Sequence, residues 1–154
     1  MDTVKKYHGK TALYFEDQPD QVKAIVDFLE GKLGFQVKQA ASPDEAFDHL
    51  VRQKFDLVIL DVRIINGGHT REGYEQDWRR YGLYFLKELR EGRILDSLTP
   101  NTVPVVVITC VVNTTDVERI ADLGNSVGGC CRYLSKPLRS LALVEIAIGE
   151  LLPA

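Results

Sequence analysis

At 154 residues and 45% hydrophobic content, the chain has the size of one domain and enough apolar material for a core without disulfides or a structural metal. A net charge of −3 argues against a nucleic-acid surface, and no stretch is apolar enough to serve as a secretory signal or to span a bilayer. Cys110, Cys130 and Cys131 lack metal-ligand spacing and fit a reducing compartment, so a cytoplasmic protein is expected, with no membrane or nucleic-acid partner and no room for a separate output module.

Residues 1–9 read as a loose polar lead-in, and the folded domain is expected over 10–154. Thr11–Phe15 is a first apolar run, ending at Glu16-Asp17. Pro19 suits the first turn of a helix that carries Val22, Ile25, Val26, Leu29 and Leu33 inward and closes at Gly34. Phe35–Ala40 alternates like a strand. Ser42-Pro43-Asp44-Glu45 is a capping box, followed by the apolar stripe Ala46, Phe47, Leu50 and Val51. Phe55–Leu60 has the continuous apolar character of a strand buried on both faces, and it stops at Asp61.

Past the segment at about 64–81, Leu83, Phe85, Leu86 and Leu89 mark a helix over Gly82–Arg90. Val103–Ile108 is a fourth run, ending at Thr109. Thr115–Glu118 is a second capping box, predicting a helix with Val117, Ile120 and Ala121 inward, ended by Gly124, Gly128 and Gly129. Cys130–Leu134 runs into Ser135-Lys136-Pro137, and Leu138, Leu141, Val144, Ile148 and Leu151 mark a last helix.

Strands alternating with helices predict a parallel sheet covered on both faces. Ligands of such a sheet bind outside the carboxyl ends of its strands. Three carboxylates, one hydroxyl and one ammonium therefore converge on one rim. Glu16, Asp17 and Asp61 would repel one another there unless a proton or a cation intervened. A hard cation such as Mg²⁺ takes oxygen ligands and engages phosphate, which assigns Glu16 and Asp17 to the metal. Asp61 is then both ligand and nucleophile, and Lys136 neutralises charge on the transferring oxygens.

The acidic pair, the lone Asp61, Thr109 and Lys136-Pro137, each at the end of its own run, resemble the receiver domain of two-component response regulators over roughly residues 10–152. No one motif is specific, but the set in this order is. The resemblance implies a flavodoxin-like (βα)5 doubly wound parallel sheet, strand order 2-1-3-4-5, in a single domain. It implies Asp61 as phosphoacceptor, with Lys136 and Thr109 assisting, and a Mg²⁺ shell completed by the backbone carbonyl of Arg63. The donor would be a histidine kinase or phosphotransfer protein, and the output a protein contact, a phosphorylation-dependent homodimer included. Thr109 and Tyr133 match the family's switch pair, and Arg63 and Val111 stand at its rate-tuning positions. Such a domain is a phosphoacceptor and not an enzyme in its own right.

The stretch from Asp61 to Gly82 is much longer than in that family. Tyr74, Trp78, Tyr81 and Phe85 recur at helical spacing, which fits an early start of the third helix. It also fits a partner-docking surface anchored by Trp78 and Tyr74. The main alternative for the whole chain is a phosphorylation-independent receiver-like interaction module. A phosphohydrolase would want a second carboxylate where Arg63 stands, and a flavin carrier would have its phosphate repelled by Glu16-Asp17.

Overall fold

The structure, a computed structural model, describes residues 4–61, 81–110 and 114–153. Arg63, Tyr74, Trp78, Val111 and all of the insertion before residue 81 lie outside these residues. Five strands alternate with five helices: β1 (Thr11–Phe15), α1 (Lys23–Phe28), β2 (Gln36–Ala40), α2 (Pro43–Arg52), β3 (Leu57–Leu60), α3 (Tyr81–Arg90), β4 (Val105–Cys110), α4 (Thr114–Gly124), β5 (Cys131–Lys136) and α5 (Ala142–Leu151). They form one flavodoxin-like domain. The sheet is parallel throughout, in the order β2-β1-β3-β4-β5. No described helix is long and apolar enough to cross a membrane.

Successive strand residues face opposite sides, so the sheet feeds two cores. Leu13, Phe15, Val58, Leu60, Val105 and Val107 pack with α2, α3 and α4. Ala12, Tyr14, Leu57, Ile59, Val106 and Ile108 pack with α1 and α5 on the other side. With every residue of β3 buried, nothing polar interrupts the strand until Asp61.

Several local expectations are corrected. The first helix is three pieces: a 3-10 turn at Pro19–Val22, α1, and a wide π turn at Leu29–Leu33. Gly34 ends it at φ 92°, where a side chain is strained and a Cβ would also crowd Lys5. β4 and β5 continue through Thr109 and Lys136. The α2 cap forms as expected, with Ser42 Oγ accepting from the Glu45 N–H at 3.3 Å. Val51, however, is exposed, and Ala121 is exposed on α4. Each stands one place past the buried residues Leu50 and Ile120, and one helical step rotates a side chain by about 100°. α4 begins at Thr114, which puts Thr115 inside its first turn, and α5 begins after Leu138.

The described part of the lead-in, from residue 4 to 9, is not loose. Tyr7 is 1% exposed, stacks on Phe35 with ring centroids 4.9 Å apart, and gives its N–H to Leu33 O at 2.8 Å. Replacing Tyr7 with alanine is expected to cost about 3 kcal/mol. Urea unfolding measures this, and a change under about 1 kcal/mol would show that the stack carries little.

Candidate functional site

β1, β3, β4 and β5 end at the same rim, and their last residues or the next ones along meet there. Asp61 follows β3 directly, its N–H held by Phe15 O at 3.1 Å. Its carboxylate is claimed on both oxygens. Thr109 Oγ1 donates to Oδ1 at 2.6 Å, and Lys136 Nζ donates to Oδ2 at 2.8 Å. The same ammonium lies 3.5 Å from Glu16 Oε1. Glu16, Asp17, Asp61 and Thr109 are all buried, and Lys136 is mostly so. Lys136 reaches the rim from the end of β5, just before a cis bond to Pro137.

The electrostatics divide the two central acids. Burial, followed by the hydrogen bond and charge of Asp61, pushes the Glu16 carboxyl up to about 8. Glu16 thus holds its proton more tightly than an exposed glutamate does. For Asp61, burial alone would favour the neutral form, but hydrogen bonds from Glu16, Lys136 and Thr109 outweigh it and hold the carboxyl below its usual range. Burial likewise disfavours the Lys136 ammonium, and the hydrogen bond and charge of Asp61 outweigh that, raising it above the ordinary lysine value.

A pH dependence follows. Glu16 binds its proton more tightly in the folded state, so its contribution to stability is full below about 4.5 and is lost as pH rises through about 8. Asp61 acts with the opposite sign: its contribution is present above 3.8 and is lost as pH falls. Without divalent cations, stability is therefore expected to decline from about pH 4.5 to 8. Thermal unfolding across that range checks it. The decline should be shallower in Glu16→Gln, and an equal decline in that variant would assign it elsewhere.

The donor set suits a hard cation. Glu16 Oε2 is buried and has no hydrogen-bond partner among the described residues, which leaves that oxygen available to a ligand. No trio of Asp, Glu, His or Cys among the described residues stands in a ready-made coordination shell. Asp17, the next residue along the chain, is buried at 8% exposure.

Glu16, Asp61, Thr109 and Lys136, expected together from the sequence, are in contact. Tyr133 is half-buried on β5, beside the core of α3 and α4, and in register with Val107. The expected roles of Arg63, Val111, Tyr74 and Trp78 fall on residues outside those described. Sequence reading missed Tyr14, whose hydroxyl is buried with no partner among the described residues. Burial raises its pKa far above the usual value, and the charges of Glu16 and Asp61 add to the rise. The signal was available: Tyr14 precedes Glu16 by two strand positions and so shares its face.

A family model described as the response regulator receiver domain matches residues 12–148. A probable transcriptional regulator, ycf29, of Cyanophora paradoxa is 32% identical over 120 residues, 78% of this chain and 46% of that protein. The chain thus spans about half the length of that curated relative. A two-component response regulator from Clostridium difficile superposes with a TM-score of 0.68 at 22% identity, covering 93% of this chain and 95% of the other. A response regulator from Burkholderia pseudomallei, solved with a phosphorylated aspartic acid, a calcium ion and citrate, gives 0.64 at 21% identity, covering 90% of this chain and 65% of that one.

Proposed function

The chain belongs to the response regulator receiver domain family, and from that premise we propose that it takes a phosphoryl group onto Asp61 and signals by changing its protein contacts. One observation carries the reading. The Asp61 carboxyl is buried, with a hydroxyl on one oxygen and an ammonium on the other. The donor is a phosphohistidine on a histidine kinase or phosphotransfer protein, and the setting is the cytoplasm. The receiver domain occupies 10–154, with an insertion at 64–81.

In the transfer, an Asp61 oxygen attacks phosphorus as the bond to the donor breaks, and the leaving group takes the electron pair. The protein positions groups and neutralises charge and needs to do little else. Glu16, Asp17 and Asp61, with the backbone carbonyl of Arg63, would hold a Mg²⁺ ion. Such an ion supplies positive charge to the phosphoryl oxygens. With such an ion bound, Glu16 would serve as a carboxylate ligand, and Lys136, now on Asp61 Oδ2, would be placed to face the incoming oxygens. Thr109 already faces Asp61, so its hydroxyl has only to pass from Oδ1 to a phosphoryl oxygen. Tyr133, beside the same core, is the second switch residue, and Tyr74 and Trp78 are assigned to partner docking.

Arg63 and Val111 set the lifetime of the phosphorylated state. Valine cannot orient an attacking water, so hydrolysis is expected to be slow. Val111→Glu should speed it by about tenfold or more, read as loss of phosphoprotein over time. An unchanged rate would remove Val111 from this role.

The direct test of the proposal is intact mass after incubation with acetyl phosphate and Mg²⁺. A gain of one phosphoryl group on Asp61 supports it. No gain, with the fold intact, would leave the phosphorylation-independent interaction module.

A further inference from the structure

The last residue of α3 is Arg90, which has no exposed surface and is the largest fully buried side chain among the described residues. Its guanidinium meets three main-chain carbonyls. Nε donates to Gly124 O at 2.9 Å, Nη1 to Asn101 O at 2.8 Å and Nη2 to Cys130 O at 3.0 Å. Asn101 Nδ2 returns a bond to Arg90 O at 3.0 Å. Gly124 closes α4 and Cys130 precedes β5, so one side chain ties the end of α3 to the turn between those two elements. A cation at a helix C-terminus also matches the negative end of the helix dipole.

The surroundings are fitted to that side chain. A Cβ on Gly129 would strike the guanidinium, and one on Gly124 would strike Cys131. Asn125 adds two more ties, donating to Ala121 O at 2.8 Å and accepting from the Cys131 N–H at 3.0 Å. The other end of α4 differs. Thr114, Thr115, Glu118 and Arg119 are exposed, and Ile120 is the only fully buried side chain among the described residues of this helix. α4 is therefore held at its C-terminus by polar bonds to main chain and only lightly along its length by apolar packing. Its N-terminus, Thr114, stands four residues after Cys110, the neighbour of the switch threonine.

Resting on the phosphoacceptor reading, we infer that Arg90 is a positioning residue that makes the C-terminus of α4 a fixed pivot. Phosphorylation then displaces the N-terminal turns of α4 and leaves the α4–β5 turn in place, so a partner reads a tilt of α4 and not its translation.

Amide hydrogen exchange by mass spectrometry tests this on the full chain, comparing Mg²⁺ alone with Mg²⁺ plus beryllium fluoride as phosphoryl mimic. In the wild type, the change in exchange over 114–119 should exceed that over 121–131 by about tenfold. In Arg90→Met, which keeps length and loses every donor, the change should spread into 121–131. Where that variant does not fold, Arg90→Lys is measured in its place and should show a partial spread. Equal changes at both ends of α4 in the wild type, or a gradient untouched in the variant, would overturn the pivot alone. No change even around Asp61 and Thr109 would remove the phosphoacceptor reading and the pivot with it.

Discussion

Asp61→Asn is expected to abolish phosphoryl uptake from acetyl phosphate while leaving the protein folded. The amide has no anionic oxygen to attack phosphorus, so the mass increment seen in the wild type should vanish. Stability should stay within about 1 kcal/mol, for a reason that lies in the neighbours. The amide oxygen of the variant still accepts from Thr109, and Lys136, already 3.5 Å from Glu16 Oε1, keeps that acid as its counter-ion. Relieved of the Asp61 charge, Glu16 ionises at lower pH, and the decline in stability between about pH 4.5 and 8 should flatten. Phosphoryl uptake that survives in Asp61→Asn would place the acceptor elsewhere in the chain.

Lys136→Met should lose both activity and stability. The ammonium is the cation that both Asp61 and Glu16 face, and its side chain is 19% exposed. Removing one partner of a largely buried pair leaves the other charge uncompensated, at about 3 kcal/mol. The rate of phosphoryl uptake should drop by about 10²–10³, the usual effect of deleting a group that faces developing charge. Saturating Mg²⁺ should restore part of the stability and little of the rate, because a cation can neutralise the acids without reaching the far phosphoryl oxygens. Stopped-flow phosphorylation and thermal unfolding, each with and without Mg²⁺, separate the two. Full recovery of the rate by Mg²⁺ would show that Lys136 is only a counter-ion.

These two variants share a loss of uptake and differ in stability, and the sequence made only the first of these visible. Asp61, Thr109 and Lys136 could be brought together on paper because a parallel sheet turns "last residue of a strand" into a position on one rim. That rule needs only the apolar runs and their stops. It says nothing of depth, and depth decides the charge state. Nothing in Glu16-Asp17 as letters reveals that Glu16 is buried and shifted upward while hydrogen bonds shift Asp61 downward. Arg90 was hidden for a similar reason: a basic residue at a helix end reads as solvated, and only the fold brings three carbonyls to it. The first helix looked continuous since its inward residues keep helical spacing, yet its ends tighten and widen to meet β1 and Gly34. Tyr7 sat in a polar run with no periodic partner to mark it as core.

The seating of that tyrosine has a practical outcome for anyone handling the protein. Tyr7 hydrogen-bonds to Lys10 and Leu33 just ahead of β1, at the amino-terminal edge of the sheet. A fluorophore on Val4→Cys, an exposed position beside that edge, would stand on the side opposite the acidic cluster. Proteolytic trimming past residue 7 is a different matter, because it would uncover Phe35 and open the layer between α1 and α5.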